Sequence, residues 1–242
     1  MDGMQLGASL GGNGRLTADR SWVRWGVAAA VAGMVSWVVG VALIPLDAKL
    51  EKGDQHLAQI LRAHTAQLYA AALLAILGAV LLATFFAVLS RLVPEARPGW
   101  GLLRVSLTAC VITQTLVAVG ASFGLAGLHA AAGKSDAALV ALGWRGLWLG
   151  FLASALPTIV FTVAGVLGLR QAGLSPSWVS ALGWLSAAAH LLALFTLAQR
   201  GAFAPDGVIA ALVPLTTVIW ILAQAAALPR SWRAAALASA RR

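Results

Sequence analysis

Carboxylates are scarce in this sequence: eight Asp and Glu among 242 residues, none of them inside a long apolar run. A proton relay through intramembrane carboxylates therefore has no members. Cysteine is scarcer. Cys110 stands alone within an apolar run, so no intramolecular disulfide forms and the thiol reads as a small buried hydrophobe. Charged residues make up only 10% of the chain, against 60% apolar residues, and the mean hydropathy is +0.87. A soluble core of this size cannot hide that much apolar surface, and lipid must take up the excess.

Catalytic signatures are missing as well. The sequence holds no Walker loop, no dinucleotide-type glycine fingerprint after a strand and no zinc-protease helix pair. Gly11-Gly12-Asn13-Gly14 belongs to a polar amino-terminal stretch and is no phosphate cradle. A net charge of +9 invites a nucleic-acid reading, but the basic residues flank apolar runs instead of clustering. That placement is the mark of membrane orientation, and no nucleic-acid partner is expected.

What the chain does have is six apolar runs: Trp22–Leu46, Thr65–Leu89, Leu102–Leu128, Val140–Leu169, Trp178–Gln199 and Val208–Leu228. About 20 residues of helix cross the hydrocarbon. The first run is longer than the roughly 7–15 apolar residues of a cleaved signal peptide, so it reads as a retained span. The fold class is all-α: a polytopic integral membrane protein with six transmembrane helices in a bundle. Residues 1–21 form a flexible cytoplasmic tail, 22–229 the transmembrane domain and 230–242 a basic cytoplasmic tail. In Asp47–Ala63, Leu50, Leu57, Ile60 and Leu61 recur at helical spacing. This predicts an amphipathic helix over about residues 49–62, lying at the membrane surface. Pro157 is expected to kink its helix, and the small pairs Gly120/Gly124 and Gly146/Gly150 to let helices approach closely.

With six spans both ends share one face. That face receives 11 of the 17 basic residues, among them Arg20, Arg24, Arg91, Arg97, Arg104, Arg170, Arg230 and Arg233. The other face holds the remaining 6: Lys49, Lys52, Arg62, Lys134, Arg145 and Arg200. The richer face is expected in the cytoplasm, with the protein in the bacterial inner membrane. Trp22, Trp25, Trp100, Trp144, Trp148, Trp178 and Trp232 fall at span ends and read as an aromatic belt, whereas Trp37, Trp184 and Trp220 lie deeper and pack.

His190 is the one ionisable residue well inside an apolar run, and such a residue counts by default as a site hypothesis. The plainer reading is an imidazole hydrogen-bonded to a neighbouring helix, through Thr113, Gln114 or Gln224. Those four residues, His190, Gln114, Gln224 and Thr113, are the candidate ligand-binding set. His64, His129 and His190 fall toward the same side of the membrane and form the candidate metal or haem set. No pair of them has the spacing that puts two ligands on one helix face, and no cofactor is expected.

Three features resemble a broad group of uncharacterised bacterial six-span integral membrane proteins common in high-GC genomes. These are Arg24-Trp25-Gly26 at the start of the first span, Ala63-His64-Thr65 before the second, and a closing hairpin. The hairpin carries Ser177-Trp178, Leu182-Gly183-Trp184, Gly201-Ala-Phe-Ala-Pro205 and Trp220. The resemblance implies the fold and no particular reaction. The functional expectation is a non-enzymatic membrane protein, either an accessory subunit of a membrane complex or a binder of a lipophilic ligand between helices. Its partners are the bilayer and other membrane subunits. The alternatives are a small transporter or channel with a water-filled cavity lined by Gln114, His190 and Gln224, and a haem- or metal-binding redox subunit.

Overall fold

The computed structural model describes residues 20–133, 136–195, 204 and 206–240. The amino-terminal tail up to residue 19, Lys134 and most of the Arg200–Asp206 turn lie outside the described residues. The elements are α1 (Arg20–Ala42), a 3-10 turn (Leu50–Lys52), α2 (Asp54–Ala63), α3 (Thr65–Leu92), α4 (Trp100–Ala132), α5 (Ala137–Gln171), α6 (Ser177–Ala193) and α7 (Val208–Ala240). No strand occurs among the described residues. Five helices, α1, α3, α4, α5 and α7, are long and apolar enough to cross a membrane, whereas α6 has 17 residues. Large apolar side chains such as Leu73, Val80, Ile112, Leu149, Leu156, Leu185 and Ile219 are exposed around the outside. Contiguous apolar exposure of this kind suits lipid and not water, as in a multi-pass membrane protein.

The six longer helices follow one another around a ring. Each packs on its neighbours in sequence order, and α7 returns to α1. Neighbours run antiparallel, as Gly26 beside Val88, Gly33 beside Gly78 and Gly40 beside Ala71 show for the α1–α3 pair. The closest seam is α4–α5. There Gly120 faces Gly150 and Gly127 faces Gly143, so tightly that a Cβ on Gly150 would lie 2.5 Å from the Gly120 Cα. The small residues do bring the helices together, but the facing pairs run across the two helices. Gly124 meets Leu147 and Gly146 meets Phe123.

The ring has two unlike halves. The terminal half, where α1 begins and α7 ends, is filled. Phe86 meets Phe85 and Phe161 edge-on at centroid distances of 5.5 and 5.3 Å, and both Phe86 and Phe161 lie 6.1 Å from Trp220. The opposite half, the cap half, carries the long 43–64 connection. There α2 buries Leu57, Ala58 and Leu61 against Leu128, Ala131, Val140 and Trp144 of α4 and α5. The amphipathic helix is therefore present, but its apolar face meets protein and not the membrane surface. A periodic apolar stripe fits either solvent, and here the ends of α4 and α5 offer the larger apolar wall.

Several polar contacts lock the cap. Arg145 pairs with Asp54 at 2.6 Å, Arg62 donates to the Ala131 carbonyl at 3.2 Å, and Gln67 donates to the Leu43 carbonyl at 2.7 Å. Asp206, 5% exposed, accepts the Leu50 amide at 2.7 Å, while the Lys49 ammonium donates to its backbone carbonyl. Arg145 is thus held in an ion pair. Trp144 leaves the aromatic belt entirely. It is 2% exposed and donates its indole N–H to Ala48 at 3.3 Å. Trp232 is also buried, at 9%, and Trp184 faces outward at 42%. At the terminal face Arg91 stacks 4.6 Å from the Trp22 ring and Arg104 5.1 Å from that of Trp100. The basic tail is not separate from its span: α7 runs through Pro229 to Ala240, because Trp232 and Ala235 pack into the terminal core.

Candidate functional site

The cap half of the ring holds a half-open cavity of about 160 Å³ to which all six ring helices contribute. Its walls are Met34 and Trp37 of α1, Leu82 of α3, Val117 of α4, Trp148, Phe151 and Phe161 of α5, and Val213 and Val218 of α7. It lies at the level of both span-internal prolines, Pro157 and Pro214, each of which withdraws an N–H from its helix ladder. Near Pro157 hydroxyls bond to helix carbonyls: Ser154 to Phe151 and Thr158 to Ser154, both at 2.7 Å. Helix α5 stays continuous through the proline, as neighbouring Ser and Thr side chains permit in membrane helices.

Polar groups enter the cavity from four helices. Thr113 and Gln114 come from α4, Ser154 and Thr158 from α5, His190 from α6 and Thr217 from α7. Thr113 and Thr158 approach to 3.5 Å, and Thr217 pairs with Ser186 at 2.7 Å, joining α6 to α7. Gln114 reaches back to the Cys110 thiol one turn earlier. His190, 7% exposed, donates from Nδ1 to the Ser186 carbonyl of its own helix at 2.9 Å. Among the described residues no Asp, Glu, Lys or Arg lines the cavity.

Three of the four candidate ligand residues therefore meet here: His190, Gln114 and Thr113. The fourth does not. Gln224 lies in the filled half, buried, donating to the Leu174 carbonyl at 2.9 Å. His190 donates its hydrogen bond to the backbone of its own helix and to none of the three side chains expected. Thr115, third member of the polar string in α4, is exposed and back-bonds to Val111 at 2.9 Å. The chain matches no protein-family model, no curated protein and no solved structure. The site is read from its own geometry.

The histidines do not converge. His129 is exposed at the end of α4, and His64 bonds to Gln67 at 3.1 Å, steadying the junction of α2 with α3. Neither lines the cavity with His190, and among the described residues no group of three His, Cys, Asp or Glu is placed to hold a metal ion. Sequence reasoning missed Ser154, Thr158, Thr217 and Trp148. The spacing of Ser154 and Thr158, four apart around Pro157, was the available signal, since it puts both hydroxyls on one helix face.

Proposed function

We propose that this protein is a non-enzymatic, six-span membrane protein that binds a lipophilic small molecule in the cavity of the cap half. It belongs with the bacterial six-span group it resembles, lies in the inner membrane with both termini cytoplasmic, and acts alone or as an accessory subunit of a membrane complex. The observation that carries this reading is the cavity itself: apolar and aromatic walls with a few convergent polar groups, the usual make-up of a small-molecule site. The filled terminal half argues against a conduit, since Phe86, Phe161 and Trp220 stand between the cavity and that end of the ring. The six-span reading takes α6 as a span alongside the five longer helices, with its neighbours in the ring antiparallel to it.

The test is native mass spectrometry of the protein released from nanodiscs, for wild type and for Ala210→Phe, which places a ring in the cavity. A small apolar molecule retained by wild type and lost from the variant is the expected result. A wild-type protein that retains none and binds no added apolar compound would sink the proposal. Labelling of single cysteines at the two ends tests the topology, and ends on opposite sides would overturn it.

A further inference from the structure

We propose that the cavity selects an uncharged hydroxylated ring of about the size of phenol, its O–H donating to Nε2 of His190. This rests on the cavity being a binding site and names what it takes.

The first step is the tautomer. A carbonyl oxygen only accepts, so the hydrogen bond from His190 to Ser186 places the ring hydrogen on Nδ1. In the neutral ring Nε2 then carries a lone pair and no hydrogen. His190 is buried, lines the cavity, and has no other partner among the described residues. An acceptor fixed in this way asks for a donor.

The rest of the lining points the same way. Ser154 and Thr158 direct their protons to backbone carbonyls, so toward the cavity they offer lone pairs. The hydroxyls of Ser186 and Thr217 face each other. The lining N–H groups are the Gln114 amide, which reaches Cys110, and the indoles of Trp37 and Trp148. With no cationic side chain in the wall among the described residues, a carboxylate or phosphate inside would be an unpaired charge in an apolar setting, which is costly. Anionic lipid headgroups and fatty-acid carboxylates are therefore disfavoured.

Size and shape narrow the class. A cavity of 160 Å³ is close to the roughly 150 Å³ of an apolar cavity that holds benzene. Trp37, Trp148, Phe151 and Phe161 supply aromatic faces and edges for a ring. The same chemistry is found in a free phenolic compound and in the hydroquinone head of an isoprenoid membrane lipid.

Binding of phenol, benzene, benzoate and a hydroquinone bearing one isoprene unit is measured by ligand-observed NMR on the full chain in nanodiscs, with protein-free nanodiscs as blank. Phenol should bind about 10-fold tighter than benzene, the value of one hydrogen bond that benzene cannot make, and benzoate should not compete. His190→Leu should bring phenol down to the level of benzene while benzene binding persists, and His190→Gln, which keeps an acceptor, should restore part of the difference. A tail that strengthens hydroquinone at least 10-fold over phenol assigns the site to a lipid head, and no gain assigns it to a free phenol. Equal binding of phenol and benzene, benzoate stronger than phenol, or a phenol preference that survives in His190→Leu would each overturn the proposal. If no ring binds at all, it is the cavity reading that fails. Should His190→Leu not fold, the wild-type ranking decides alone.

Discussion

In the terminal half of the ring Phe85, Phe86, Phe161 and Trp220 pack against one another, while in the cap half Ala155, Ala193, Ala210 and a set of small hydroxyls stand between the aromatic walls. Both halves draw on the same helices. What differs is side-chain volume. Aromatic rings fill the space to crystal-like density, whereas alanine, serine and threonine leave it open. The terminal half fixes the distance between helices, and the cap half inherits that distance without the side chains to fill it.

Four substitutions would break or sharpen this contrast. Trp220→Ala, removing the largest ring in the filled half, should cost about 3–5 kcal/mol, read as reversible unfolding in mixed detergent. A loss below about 1 kcal/mol would mean that the terminal half is not the rigid one. Gly183→Ala places a Cβ 2.2 Å from Val166 Cγ2 and 2.8 Å from the Trp220 indole nitrogen. That overpacking should cost about 1–3 kcal/mol by the same measurement. Asp206→Ala removes the carboxylate that accepts the Leu50 amide. A loss of about 1–3 kcal/mol is expected, with faster deuterium exchange confined to residues 47–53 and the start of α7. Exchange that rises equally in the terminal half would show that the cap is not a separate unit. Smallest is Ala210→Leu, which adds carbon where there is room. Stability should change by less than about 1 kcal/mol in either direction while ring binding falls. If it destabilises as much as Gly183→Ala, the cap half is already full and the comparison fails.

Much of the fold was legible because apolar runs separated by Pro, Gly and charge delimit helices well. Run ends and helix ends agree within a few residues for α1, α3 and α4. The end of α7 was misread at Pro229, since a proline in sequence does not reveal that Trp232 beyond it has a core to enter. The site was legible in part. Thr113 and Gln114 were singled out as polar groups deep in a run, and His190 as an ionisable one, and depth was enough to bring them together. Gln224 satisfied the same criterion and lies elsewhere. It is ten residues past Pro214, about 15 Å along the helix at 1.5 Å per residue, and so falls in the filled half. Asp206 escaped notice because a lone carboxylate in a turn looks like any solvated side chain. Only the approach of Leu50, 156 positions earlier, gives it work.

The return of α7 to α1 has a consequence for biogenesis. A chain leaving the ribosome presents α1 first and α7 last, and domains assemble in that order. Until Val208–Ala240 is made, the ring is a horseshoe, with Trp37 and His190 open toward lipid through its missing stave. The cavity therefore gains its last wall only once α7 has been made.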